Sequence, residues 1–233
     1  MANKTHGSLA QDAAAHIAGS SDTVQSLGGG PQEIERQTVL LSEWAGTRNV
    51  ILDDAYTADL EKQEGTTAEH EVFYRAADNR AVKRTYSGTF GVTTDSKGNR
   101  RHATPLFYLR RLELMNRIFG SDLSLEGIAL SESLLIGTHG LKPSMVISQA
   151  WHEAADINNP HPSESEVKRF MESLGFSSMS GLHWISSNGK VFVSDTRVDN
   201  FIKSSLGVIP IDLVIGENLE PDPAAEEDRP NVF

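Results

Sequence analysis

Three side chains late in the chain have the types and spacing to act together on a phosphate. Asp195 follows the apolar run VFVS, Asn200 comes five residues later, and Asp212 stands beyond the segment FIKSSLGVIPI. Phosphoryl transfer from a nucleotide asks little covalent chemistry of a protein. It needs one carboxylate to accept a hydroxyl proton, and hard oxygen ligands to hold magnesium against the phosphates. Asp195, on a loop after a strand, suits the first task. Asn200 and Asp212, drawn together by a tight turn at Leu206–Gly207, suit the second. Singly, each is an ordinary loop or turn residue; the joint spacing carries the reading.

The elements that must position these groups alternate in type. Ile34, Leu41 and Trp44 are spaced for one face of a helix over Glu33–Trp44. The segment EHEVFYRAADNRAVKRTY reads as two strands around an Asp78–Asn79 turn. Thr104 and Pro105 open a helix through LFYLRRLELMNRIF that stops at Gly120. LKPSMVISQ is an apolar, β-branched run suited to a buried strand. Ser163 and Glu166 form a capping box ahead of a helix ending at Gly175. LHWISSNGKVFVS is a hairpin on the Asn188–Gly189 turn, and FIKSSLGVIPIDLVI is a second hairpin. Helices lie between strand-rich stretches, which predicts an α+β fold rather than a wound parallel sheet.

Composition removes whole classes of function. The 233 residues contain no cysteine, which excludes a disulfide scaffold, a Cys-ligated zinc site and a thiol nucleophile. No stretch approaches the roughly 20 apolar residues of a membrane span. The first residues lack the apolar core of a signal peptide, which predicts a cytoplasmic protein with no membrane partner. The net charge is −11, and no positive footprint for a nucleic-acid backbone is visible. Residues 1–31, rich in Ala, Ser, Gly and Gln, read as a disordered head; a helix over Gln11–Ile17 is the alternative, but nothing in the sequence offers it a partner. The acidic, proline-bearing residues 217–233 read as a disordered tail. The folded domain then spans 32–216.

Asp195 and Asn200 followed by an Asp between apolar residues resemble the catalytic and metal-binding loops of protein kinases. More specifically, EHEVFY, AVK, VISQAW, FMESLGF and SDTRVDNFIK with GVIPIDLVI resemble the Ser/Thr/Tyr-kinase-like domain of polyvalent proteins from phages and other mobile elements. The resemblance covers about Gly65 to Gly216. It implies a compact two-lobed kinase-like fold, with an N-lobe over 32–147, a linker over 148–151 and a reduced C-lobe over 152–216. It implies ATP and Mg2+ as cofactors, an unknown protein or small-molecule acceptor, and a bacterial or phage-infected host cell as the setting. Lys83 would grip the inner phosphates, Gln149 and Ala150 would offer backbone groups to the base, and Gly65 would turn over the phosphates. Asn200 and Asp212 would hold the metal, with Asp195 as the catalytic acid/base.

The lysine needs an acid on the helix facing it, and the helix after Pro105 offers only Glu113. On a wheel Glu113 falls between Leu106 and Leu109, where an unpaired carboxylate would be costly. A Lys83–Glu113 pair is therefore expected, with Arg110 or Arg117 on the same helix as the competing partners of Glu113.

Two departures from the kinase pattern stand out. QEGTTAEHE holds a single glycine where a glycine-rich loop belongs, and Asp212 is followed by Leu213 rather than Phe-Gly, with 21 residues to follow. The alternative to a phosphotransferase is a nucleotide-binding or non-catalytic kinase-like interaction module of a mobile element. His152 and Glu153 in HEAAD lack the second histidine of a zinc-protease motif, and Trp151 reads as structural.

Overall fold

The computed structural model describes residues 7–20, 30–53, 55–63, 69–94, 100–132 and 140–217. The chain begins with helices α1 (Gly7–Gly19) and α2 (Pro31–Arg48), strand β1 (Ile51–Leu52) and the single turn α3 (Ala55–Ala58). Strands β2 (Glu61–Lys62), β3 (His70–Arg75), β4 (Arg80–Thr85), β5 (Val92–Thr94) and β6 (Arg100–His102) precede helix α4 (Pro105–Phe119). Then come β7 (Ser124–Glu132), β8 (Leu141–Ala150), α5 (Glu164–Ser173), β9 (Phe176–Ser180), β10 (His183–Ser186) and β11 (Val191–Ser194). A 3-10 turn (Val198–Asn200) leads into β12 (Phe201–Ser204), β13 (Gly207–Pro210) and β14 (Val214–Glu217). The fold is α+β.

A six-stranded sheet in the order β1-β7-β8-β4-β3-β2 forms one layer, antiparallel except for the β1–β7 pair. Its β3–β4 hairpin turns at Asn79, which takes a left-handed φ of 54° and accepts the Tyr74 hydroxyl on its side chain. A four-stranded sheet, β14-β11-β10-β9, forms the second layer, and β12–β13 is a separate hairpin. Gly189 supplies the positive φ in the β10–β11 turn that Asn188–Gly189 predicted.

Helix α4 lies at the centre. The Thr104 side chain accepts the Phe107 N–H at 3.2 Å, Pro105 sits in the first turn, and Gly120 closes the helix at φ 65°. Its buried residues include Phe107, Tyr108, Leu109, Arg111, Leu112, Leu114 and Met115, so more than one face is covered. One apolar cluster joins it to α1, α2, both main sheets and α5, from Ile17 and Leu41 through Leu112 and Met145 to Met171, Trp184 and Val193.

Two boundaries differ from the sequence reading. The head expected to be disordered contains α1, whose Ala10, Ala13 and Ile17 are buried where the helix lies against α2, α4 and β7. Asp12 accepts from the Trp44 indole at 3.0 Å and pairs with Arg48 at 2.7 Å, which fixes the helix to α2. The residues expected as a linker, 148–151, are strand as far as Ala150, because β4 continues to pair with β8 through Arg80 and Ala150. Glu217 closes β14, whereas the rest of the expected tail and Gly65 lie outside the described residues.

Candidate functional site

A cleft of about 560 Å³ opens between the β3–β4–β8 part of the large sheet and the segment from Asp195 to Val214. Six of the residues singled out by the sequence line it: Lys83, Gln149, Ala150, Asp195, Asn200 and Asp212. They reach it from four places in the chain, which is what a binding site built by tertiary packing looks like.

The β11 strand delivers Asp195 into a left-handed backbone conformation, φ 59°. Asparagine, aspartate and glycine tolerate that region best. The bend lets Asn200 fold back, and its Nδ2 donates to the Asp195 carbonyl at 2.6 Å. Asn200 is 7% exposed, and with Nδ2 engaged its amide oxygen is the atom left to ligate. The Ile211 N–H donates to the Asn200 carbonyl at 2.9 Å, so the β12–β13 hairpin returns the chain beside Asn200 and places Asp212 next to it. Arg197 reaches Asp195 and Asp199 with the same Nε, at 3.4 Å each, and lines the cleft.

Lys83 is 7% exposed, which distinguishes it from a solvated surface lysine. Its Nζ donates to the Ile211 carbonyl at 2.5 Å. Burial pushes its pKa below the ordinary lysine value, opposed by the attraction of Asp212. Asp212 shows the complementary balance: burial raises its pKa, and Lys83, His70 and Arg111 together bring it below the usual carboxylate value. Lys83 and Asp212 thus each favour the charged form of the other.

The expected Lys83–Glu113 pair does not form. The charged neighbours of Glu113 are Arg110, Arg117 and Glu217, and burial raises its pKa against the pull of the two arginines. Glu113 is also absent from the cleft lining. The residue that α4 turns to the site is Arg111. Its Nη1 pairs with Glu69 at 2.6 Å, its Nη2 with Asp212 at 3.0 Å, and its Nε donates to the Leu213 carbonyl at 2.8 Å. Burial works against the charge of Arg111, and Glu69 and Asp212 keep it protonated.

Glu69 and His70 were also outside the sequence reading. The Glu69 carboxylate lies against Gly91, where a side chain's Cβ would overlap it, and Gly91 has a φ of 76°. His70 is buried and its Nε2 lies 2.7 Å from the Tyr108 hydroxyl. Burial lowers the His70 pKa, so the neutral ring is favoured. Ligand atoms of Glu69, His70 and Asp212 all lie within 4.8 Å of one another. The Arg111 guanidinium already bonds both carboxylates of that group, which supplies its counter-charge without a metal ion. The sequence signal for this layer was weak, since Arg111 is one of three arginines on α4 and spacing alone does not single it out.

At the other end of the cleft, the Trp151 N–H donates to the Asn79 carbonyl at 3.0 Å. Ladder alternation then makes Ala81–Gln149 the next hydrogen-bonded pair, so the backbone of Gln149 is spent on β4. The Ala150 N–H and C=O face away from β4 and remain suited to a ligand. Trp151 stands against Tyr74 with ring centroids 4.9 Å apart. His152 lines the same end, and burial lowers its pKa.

Comparison with known proteins gives one result. The model of a family described as the serine/threonine/tyrosine kinase found in polyvalent proteins matches residues 34–216. No curated protein and no solved structure matches the chain significantly. Among the described residues, no helix is long and apolar enough to cross a membrane.

Proposed function

Starting from a chain that belongs to the kinase family found in polyvalent proteins, we propose that its cleft binds ATP with Mg2+ and transfers the terminal phosphoryl group to a hydroxyl acceptor. The observation that carries this reading is the convergence of Lys83, Asp195, Asn200 and Asp212 on a single cleft. In this reading the large sheet with α4 and the β9–β14 region act as two lobes around the nucleotide, with a reduced second lobe.

The donor set fits a hard divalent cation, since the Asn200 amide oxygen and the Asp212 carboxylate are both oxygen ligands. When bound, Mg2+ would neutralise charge on the phosphate oxygens. Lys83 supplies a buried ammonium for the inner phosphates, and Arg197 offers a guanidinium at the cleft lining for the outer one. The Asp195 carboxylate accepts the acceptor's hydroxyl proton as its oxygen bonds to the terminal phosphorus. The bond from that phosphorus to the bridging oxygen breaks, and ADP leaves with the electron pair. Lys83 is held by the Ile211 carbonyl, with the Asp212 charge acting on it electrostatically, in place of a glutamate from α4.

A second reading is a nucleotide-binding module without transfer. It is favoured by one observation: Arg111 already engages one oxygen of Asp212. Incubation of the wild type and Asp195→Ala with γ-labelled ATP and Mg2+ separates the two. Label on the protein or on an acceptor from a broad panel, lost in Asp195→Ala, is the expected result. Saturable ATP binding with no transfer by the wild type would leave the module reading, and absence of binding would end both.

A further inference from the structure

We propose that the side chain of Gln149 reads the base of the bound nucleotide and selects a 6-aminopurine. The inference rests on the nucleotide-binding reading and adds to it a side-chain determinant of base choice.

In the β4–β8 ladder Lys83 lies opposite Ile147 and Ala81 opposite Gln149. Directly opposed residues of an antiparallel pair project to the same face, as do residues two apart on one strand. Gln149 therefore shares the face of Lys83, displaced along the sheet by about 7 Å. The displacement runs toward the end of β8 at Ala150 and Trp151, away from His70 and the neighbouring Asp212. A nucleotide with its phosphates at Lys83 has its base at that end.

The Gln149 side chain is an anomaly there. The residue is 3% exposed, yet its Oε1 is buried with no hydrogen-bond partner among the described residues. A buried acceptor without a donor is destabilising, and such groups are rare unless a ligand completes them. The apolar lining of the cleft includes Val72, Ala81, Trp151 and Ile202; Gln63 and His152 also line it, yet neither bonds Oε1, and the backbone of Gln149 is committed to Ala81. The missing group is a donor of hydrogen-bond size entering from the cleft.

Adenine carries such a donor, its N6 amino group, flanked by ring-nitrogen acceptors that suit the amide's own N–H. The pairing is the two-point match by which glutamine reads adenine elsewhere. A purine lacking the amino group would leave Oε1 unsatisfied. A purine with a carbonyl at that position would set two acceptors against each other. Sites built to hydrogen-bond an N–H reject analogues that lack it strongly.

The test uses the intact chain with Mg2+ and three probes: ATP, purine riboside triphosphate (which lacks the amino group) and GTP. Calorimetric titration of the wild type should give at least tenfold tighter binding of ATP than of either analogue. Gln149→Met, close in volume and without polar atoms, should bring the ratio of ATP to purine riboside triphosphate to within about twofold of one. Equal binding of ATP and purine riboside triphosphate by the wild type overturns the proposal without recourse to a variant. So does an unchanged ratio in a folded Gln149→Met protein. If the wild type binds none of the three, the nucleotide reading itself falls and this inference with it, a result distinct from binding without discrimination.

Discussion

Replacing Arg111 with methionine tests whether the charge arrangement under the cleft is held by that one guanidinium. Arg111 is nearly fully enclosed, and its side chain faces Glu69 at 11% exposure and Asp212 at 23%. Removing one member of a buried ion pair leaves the other charge uncompensated, which costs about 3–5 kcal/mol. Asp212 keeps Lys83 as a neighbour and is the more exposed acid, so the lower end, about 3 kcal/mol, applies. For a chain of this size that is a fall in melting temperature of about 6–12 °C. Urea unfolding followed by tryptophan fluorescence reads the change directly. The second half of the test is Glu69→Gln added to Arg111→Met. Deleting the stranded charge should restore about 1–2 kcal/mol, the signature of a coupled pair. A loss under about 1 kcal/mol for Arg111→Met, or a further loss on adding Glu69→Gln, would refute the argument.

Two other outcomes follow from the geometry. Burial depresses the His70 pKa, so the unfolded chain takes up a proton near pH 6.5 that the folded chain resists. Its contribution to stability is complete above about pH 6.5 and is lost as pH falls below it toward the folded pKa. Urea midpoints at several pH values should decline over that window in the wild type, and less steeply in His70→Gln; identical declines would contradict the assignment. The residual slope belongs partly to His152, which is shifted in the same direction. Gly127 stands at the irregularity in the β7–β8 ladder, and an added Cβ would lie 2.5 Å from the Val50 carbonyl oxygen. Gly127→Ala should therefore cost about 1–3 kcal/mol in urea unfolding by forcing β1 away from β7, and an unchanged midpoint would place β1 elsewhere.

The sequence carried the local decisions well, because their causes are local. Thr104–Pro105 and Gly120 bound α4, Ser163 and Glu166 form the capping box of α5, and Asn188–Gly189 turns the β10–β11 hairpin. The spacing of Asp195, Asn200 and Asp212 was legible for the same reason, since one turn and one hairpin join them. The helix wheel misled at Glu113 because it assumes one buried face. Helix α4 is enclosed by α1, α2 and β14, so position on the wheel does not separate inside from outside. What decides between Arg111 and Glu113 is the presence of two carboxylates, from Glu69 and Asp212, that lie 42 and 101 residues from Arg111 along the chain. No periodicity reports that. The α1 helix, open as the alternative over Gln11–Ile17, lacked a visible partner for a similar reason: an alanine-rich segment looks unable to bury anything, yet small side chains let it approach α4 closely.

That close approach has a consequence for where this protein ends as a physical object. The family match begins at residue 34, whereas the apolar cluster continues outward to Ile17 and Ala10. A span trimmed to the matched residues would open a furrow along the helix that carries Arg111 and expose the apolar side chains that α1 covers there. The unit of resemblance is thus smaller than the unit of folding, because the apolar cluster includes a segment outside the matched residues.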